Sequence, residues 1–370
     1  MYEEYTKVKI ICKEGAIDTL QSIVEKEGFN RGILITDKFF STNGVAEKII
    51  KNTKSIVCSY TDCLANPSLL DAEKVVSIMK DYNVDFAVAL GGGSSLDIGK
   101  FACSLFYGDS RAADYFYGKK FNEQHIPLIA VPTTAGTGSE VTGVSVMSNS
   151  ETGEKAPVCS ANFFPYMAIV DSDFTLSVPS FITAATGIDA IAHALESYWC
   201  NSHNEKSDEM ALSALNRLFK NIEKAYQNGN DRKARFEMSQ GALEAGIAFA
   251  PTRTAGIHAS SYPLSEQCHL CHGEACGVTL DGFILYNSNI ISERMENLSK
   301  KLGFNNSSEM AAKVKTLKEK FGLKVSIPES DEEKIKAIAE GCLKHPLMKN
   351  NPAIPSIDDM VLILKGAYAK

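Results

Sequence analysis

The sequence predicts an α/β half followed by an all-helical half. Three observations carry this prediction: short apolar runs alternate with amphipathic helical stretches up to residue 178, glycines fall where those runs end, and beyond Pro179 long helical periodicity replaces the strands. A chain of 370 residues, 44% of them hydrophobic, is long enough for two separate cores. The expected domains are residues 1–178 and 179–370, and the cleft between them is the expected meeting place for small ligands.

In the first half, strands are expected over 31–37, 55–59, 86–90 and 126–131, separated by helices over 16–27, 71–80 and 95–106. That rhythm describes a mostly parallel sheet with helices on both faces. Residues 141–159 read instead as a hairpin turning at Glu151-Thr152-Gly153, followed by a short strand over 167–170. In the second half, helices are expected over 180–198, 207–227, 231–249, 331–343 and 357–369.

A formal net charge of −7 without a basic stripe argues against a nucleic-acid binder. Residues 1–10 mix charged, polar and apolar side chains with no apolar core, which supports neither export nor membrane insertion, so a cytoplasmic setting is expected. The ten cysteines then read as free thiols rather than a disulfide framework. Cys268-His269-Leu270-Cys271-His272 spells the attachment pattern of c-type haem, and Cys268, Cys271 and Cys276 are spaced like a thiolate metal site. Ordinary free thiols are the favoured reading of all three.

The clearest local signal in the first half is Gly91-Gly92-Gly93-Ser94-Ser95-Leu96-Asp97-Ile98-Gly99-Lys100, directly after an apolar run. Glycines at a strand end let backbone amides approach a phosphate, and the following helix offers unpaired amides at its N-terminus. The alternative is a tight turn with Ser94 or Ser95 as an ordinary cap. Thr133-Thr134-Ala135-Gly136-Thr137-Gly138-Ser139-Glu140 follows another strand, so two loops at the carboxyl ends of the sheet can converge on one dinucleotide. Asp37 closes the strand over 32–36, where a carboxylate accepts hydrogen bonds from an adenosine ribose and repels a 2′-phosphate. NAD(H) is therefore expected ahead of NADP(H); Lys38 weakens that preference, and Asp37 can equally cap the next helix.

The second half holds the metal-type signals. Asp189 and His193 stand four apart in a helical pattern and share a face. His258 lies in Arg253-Thr254-Ala255-Gly256-Ile257-His258, and His272 in Cys271-His272-Gly273-Glu274. The chain has seven histidines, so three in small-residue settings are informative, with His203, His269 and His345 read as surface groups. One carboxylate and three imidazoles suit Fe²⁺ or Zn²⁺. A buried hydrogen-bonded Asp189–His193 couple is the plain alternative.

Taken together in this order, Gly91-Gly92-Gly93-Ser94, the segment from Pro132 to Glu140, residues 187–198 and residues 258–273 resemble the iron-containing alcohol dehydrogenase family. The resemblance runs from Val8 to the end, where Asn350-Asn351-Pro352 and Ile357-Asp358-Asp359 resemble the closing segment. It implies a Rossmann-like α/β dinucleotide-binding domain followed by an all-helical metal-binding domain, an arrangement shared with dehydroquinate synthase. It further implies Asp189, His193, His258 and His272 as ligands of a catalytic metal, normally Fe²⁺, and Gly92, Gly93, Ser94, Asp97, Thr133, Thr134 and Thr137 as the nucleotide lining. Asp37 would lie near the ribose, and Lys155, on its own a solvated lysine, would reach the cofactor from the hairpin.

One position departs from the family. Its members carry a further histidine four residues after the third ligand, where this chain has Tyr262. The stretches from Thr252 to His258 and from Ser261 to Leu264, with Glu196-Ser197-Tyr198-Trp199 and Gly273-Glu274-Ala275-Cys276, resemble the branch that reduces phosphonoacetaldehyde to 2-hydroxyethylphosphonate. Arg253 then supplies a charged fork for an anionic aldehyde, and Tyr262 becomes the candidate proton donor. Sulfoacetaldehyde reduction, general short-chain alcohol dehydrogenation and, more distantly, an NAD- and metal-dependent lyase are the competing readings. A homodimer is expected from the prevalence of two-fold assemblies.

Overall fold

The computed structural model describes residues 2–328 and 332–368. The chain forms two compact units, Met1–Thr134 with Gly138–Thr175, and Ala135–Thr137 with Leu176–Lys370. In the first, the elements run β1 (Lys9–Cys12), α1 (Leu20–Glu27), β2 (Gly32–Asp37), α2 (Lys38–Thr42), α3 (Val45–Asn52), β3 (Ile56–Cys63), α4 (Leu69–Asp81), β4 (Phe86–Gly91), α5 (Gly93–Leu105), α6 (Ala112–Phe116), β5 (Leu128–Pro132), β6 (Val144–Ser148), β7 (Lys155–Cys159) and β8 (Met167–Val170). Six strands make one sheet in the order β1-β8-β5-β4-β2-β3, every described pairing parallel, while β6 and β7 pair antiparallel as the expected hairpin.

The central strands are buried on both sides, which is why they read as unbroken apolar runs. Alternation sorts their side chains. Leu34, Phe86, Val88, Leu90, Ile129 and Val131 face one core with Leu20 and Val24 of α1, and Ile33, Ile35, Ala87, Ala89, Leu128 and Ala130 face the other with Val75 of α4 and Phe101 of α5. The alanines on the second face let α5 sit close. A Cβ at Gly99 would lie 2.9 Å from the Ala89 Cβ and 3.3 Å from a Leu128 methyl, so glycine there sets the height of the helix over the sheet.

The second unit contains α7 (Ser180–Trp199), α8 (Glu205–Gln227), α9 (Arg232–Thr252), α10 (Gly256–Cys268), α11 (His272–Ile290), α12 (Ser292–Lys301), α13 (Ser307–Lys320), α14 (Glu332–Lys344) and α15 (Ile357–Leu364). Apart from its first turn, α7 is almost wholly buried, as an all-round apolar helix must be. Its small residues admit close neighbours: a Cβ at Gly187 would meet the Ile222 Cδ1 at 2.8 Å and the Met238 Cε at 2.9 Å, on α8 and α9. Among the described residues no helix is long and apolar enough to cross a membrane.

Three differences from the sequence reading have physical causes. β1 is a four-residue edge strand, only partly buried, and has too little alternation to stand out. The stretch forming α10 contains Pro263, and no side chain of its own N-cap residue closes the helix, so it lacks local start signals. The last helix ends at Leu364, two residues before Gly366 takes φ +64°, whereas a helix to 369 was expected; residues 331 and 369, ends of two expected helices, lie outside the described residues.

Gly99→Val should therefore lift α5 and destabilise the protein by about 1–3 kcal/mol. Denaturant unfolding measures this, and an unchanged midpoint would show that the α5 contact yields without strain.

Candidate metal centre and nucleotide loop

Helix periodicity brings Asp189, His193 and Glu196 onto one side of α7 at positions i, i+4 and i+7. Asp189 is 2% exposed. Its Oδ1 lies 3.3 Å from the His258 Nε2 and 3.5 Å from the His272 Nε2, while its Oδ2 lies 4.0 Å from the His193 Nδ1. The structure thus brings all four expected ligands to one place, though with unequal intimacy: Asp189, His258, His272 and Cys276 present donor atoms within 4.8 Å of one another, a group that His193 does not join. Instead the His193 ring stacks against Phe249 at 4.2 Å and His258 at 4.3 Å. Burial holds His193 neutral by pushing its pKa down to about 3.

Glu196 fixes His258. Its carboxylate, fully buried, accepts from the backbone N–H groups of Ile257 (2.6 Å) and His258 (3.2 Å) with one oxygen and from the His258 Nδ1 (2.5 Å) with the other. It therefore caps α10 from another helix, and its contact with Nδ1 orients the ring so that Nε2 faces Asp189. His272 arrives at the start of α11 because residue 273 is glycine. A Cβ there would fall 2.1 Å from the Ala185 carbonyl oxygen of α7.

Three buried atoms in this cluster, Asp189 Oδ1, His193 Nδ1 and His258 Nε2, have no hydrogen-bond partner. Orphaned acceptors facing one another away from water are unfavourable unless a cation joins them. Donor type and placement both fit a divalent ion.

The loops of the α/β unit are built differently. Gly91 takes φ +155°, where an added Cβ would lie 2.4 Å from the Ser95 hydroxyl, and Gly92 stands at the N-cap of α5 with no side chain closing that end. The thirteen-residue helix, opening at Gly93, thus presents free amides, as an anion site requires. Thr133 donates its N–H to the Gly91 carbonyl at 3.0 Å, and Thr134 lies beside Gly92. Thr137 belongs to the short stretch that packs with the helical unit. The Ser94 hydroxyl donates to the Ala65 carbonyl at 2.8 Å.

Asp97, expected at the nucleotide, is held by protein partners on both oxygens. One of its oxygens accepts from the Ser139 hydroxyl at 2.8 Å and the other from the Val146 N–H at 2.9 Å, tying α5 to the hairpin. Fully buried Lys100 completes the brace through Ser139 (2.7 Å) and the Val144 carbonyl (2.8 Å). Burial pushes the Lys100 pKa down to about 8 and that of neighbouring Glu140 up to about 7. Asp37 caps α2 by accepting from the Phe40 N–H at 3.2 Å, with its other oxygen near Gly91. Lys155 is exposed on β7 and donates to the Asn66 side chain at 3.0 Å.

Arg253 sits where α9 ends, with φ +68° and ψ 175°, a region that glycine almost alone occupies. Its loop is fastened on both sides: Ser202 donates to the Thr252 carbonyl at 2.7 Å, and the Asn350 amide donates to the Thr254 carbonyl at 2.9 Å. Tyr262, on α10, stacks on His345 with ring centres 4.5 Å apart. His345 is therefore a packing partner rather than the surface group expected, and burial lowers its pKa.

The iron-containing alcohol dehydrogenase family model matches residues 7–172, and the C-terminal model of the same family matches residues 183–368. This chain belongs to that family. It is 33% identical over 372 residues to long-chain-alcohol dehydrogenase 1 of Geobacillus thermodenitrificans, covering 96% of this chain and 94% of the relative. The NAD-dependent methanol dehydrogenase of Bacillus methanolicus is 27% identical, covering 96% and 97%. Among solved structures, sulfoacetaldehyde reductase from Bifidobacterium kashiwanohense in complex with NAD⁺ superposes with a TM-score of 0.94 at 36% identity, covering 97% of this chain and 96% of that one. The chain is an oxidoreductase with the two-part fold of its relatives.

Two residues of this iron-containing alcohol dehydrogenase escaped the sequence reading as site components. Glu196 carried a usable signal, its i+7 spacing from Asp189. Cys276, four residues after His272, was grouped with the neighbouring thiols, whereas it is buried in the Asp189 cluster. Glu196→Gln should weaken divalent-metal affinity about 10- to 100-fold, measured by chelator competition. Unchanged affinity would mean that Glu196 serves only the α10 terminus. Glu140 binds a proton more readily folded than unfolded, so its destabilising charge is present above pH 7 and fades as pH falls towards 4.5. Glu140→Gln should accordingly raise unfolding stability at pH 7.5 and lose that advantage by pH 4.5; a pH-independent difference would refute this.

Proposed function

We propose that this enzyme reduces phosphonoacetaldehyde to 2-hydroxyethylphosphonate, with Fe²⁺ or alternatively Zn²⁺ at the centre and NAD(H) ahead of NADP(H) as the hydride carrier. Residues 1–178 would bind the dinucleotide and residues 179–370 the metal. Asp189, His193, His258 and His272 would hold the ion; Gly92, Gly93, Ser94, Thr133, Thr134 and Thr137 would line the nucleotide, with Asp37 beside its ribose and Lys155 reaching in from the hairpin. Asp97 contributes by bracing the loop. When bound, the ion supplies Lewis acidity towards an aldehyde oxygen and the nicotinamide supplies the hydride.

The observation that carries the substrate reading is Arg253. Its backbone conformation costs about 1–3 kcal/mol that glycine would not incur, which points to a role for the guanidinium itself. Placed five residues before His258 on a fastened loop, the planar fork suits a phosphonate or sulfonate oxygen pair. Similarity to the Bifidobacterium sulfoacetaldehyde reductase favours a second reading in which the anion is a sulfonate. Tyr262 would hold the proton for the product alkoxide, its ring positioned by the neutral face of His345. A cytoplasmic homodimer completes the proposal, supported by ten free cysteines and by the prevalence of two-fold assemblies.

Anaerobic initial rates with Fe²⁺ and NADH or NADPH, against phosphonoacetaldehyde, sulfoacetaldehyde, propanal and lactaldehyde, test this directly. Arg253→Ala should lower kcat/KM for the anionic aldehydes by about 100-fold and leave propanal nearly unchanged. A preference for uncharged aldehydes, indifferent to Arg253, would reject the anionic pocket. Tyr262→Phe should reduce turnover with cofactor binding intact; undiminished turnover would remove Tyr262 from the proton path.

A further inference from the structure

We infer that Ser261 is a positioning residue of the metal centre: its hydroxyl oxygen accepts from the His272 Nδ1 and so aims the Nε2 of that ligand at Asp189. This leaves Asp189, His193, His258 and His272 as the ligands; it rests on the reading of their cluster as a metal centre and deepens it. Ser261 is fully buried on α10. Its Oγ donates to the His258 carbonyl at 2.9 Å and lies 3.5 Å from the His272 Nδ1. A hydroxyl has one hydrogen and two lone pairs, and a carbonyl can only accept. With its hydrogen committed to His258, the Ser261 oxygen meets His272 as an acceptor. The opposite ring nitrogen, Nε2, lies 3.5 Å from the Asp189 Oδ1. An imidazole that coordinates through Nε2 carries its proton on Nδ1, so the acceptor stands at the nitrogen that needs one.

The three histidines are held by different means. His258 is buried and meets the Glu196 carboxylate through Nδ1, and His193 stacks on Phe249 and on His258. The His272 side chain is 48% exposed, so burial alone does not fix its rotamer. Ordering such a side chain when an ion arrives costs rotamer entropy, and a hydrogen bond already in place removes part of that cost in advance. Both polar contacts of the Ser261 hydroxyl go to ligand residues, the backbone of one and the ring of the other. One buried oxygen therefore links the way α10 carries His258 to the way α11 presents His272.

A double-mutant cycle isolates an effect that runs through one ring. Zn²⁺ affinity is measured by chelator competition on the full-length protein, on Ser261→Ala, on His272→Ala and on the double variant, with far-ultraviolet circular dichroism and the denaturant midpoint confirming the fold. Ser261→Ala should weaken binding about tenfold, the lower end of what outer hydrogen bonds to metal-bound histidines contribute, because the contact to Nδ1 is long. In the His272→Ala background the same change should have no effect. Ser261→Thr, which keeps a hydroxyl at this position, should restore most of the affinity, and it decides the matter should His272→Ala bind too weakly to measure. Unchanged affinity in Ser261→Ala, an equal loss with and without His272, or a folded Ser261→Thr that binds as weakly as Ser261→Ala would overturn the positioning role and leave the metal centre standing. A parent protein that takes up no stoichiometric Zn²⁺ would overturn both.

Discussion

A carboxylate removed from water organises the helical unit. Asp189 is almost completely buried, and a desolvated carboxylate without compensation costs roughly several kcal/mol. The groups that would share a compensating cation with it come from α7, α10 and α11, so the three helices must meet at fixed distances. Glycines set those distances: Gly187 lets α8 and α9 close on α7, and Gly273 lets the α11 backbone lie against a carbonyl of α7. Packing and electrostatics are the same constraint here, since a looser bundle would leave the carboxylate uncompensated.

The two candidate binding regions follow opposite principles. Around Asp189, buried donors are left without protein partners and point at one another. Beneath the glycine loop, Asp97, Lys100 and Ser139 bond to one another and to the hairpin backbone at Val144 and Val146, while no side chain caps the helix terminus above them. An ion needs ready-made lone pairs. A dinucleotide phosphate, by contrast, needs a rigid rim of amides, and the buried polar brace holds that rim in place.

Most of the sheet was legible because strands buried on both faces leave continuous apolar runs, and α7 was legible because Asp189 and His193 repeat at helical spacing. What failed to show depended on contacts across long stretches of chain. The capping of α10 comes from Glu196, 61 residues from Ile257. Tyr262 meets His345 only after the helical unit has folded. Asp97 belonged to an anticipated motif, yet its partners Ser139 and Val146 lie on a later segment that a local pattern cannot place. Cys276 shows the same limit: its spacing from His272 has meaning only once both are known to share α11, where the structure turns the thiol towards Asp189.

The donors around Asp189 also differ in their access to solvent. The side chain of His272 is 48% exposed, against 5% for His258 and 3% for Asp189. For a bound ion this asymmetry governs exchange. The bundle holds the buried donors, so an ion held here would be reached from solvent on the His272 side. Side-chain rotation is fast compared with helix opening, so exchange of such an ion would not require the bundle to unfold.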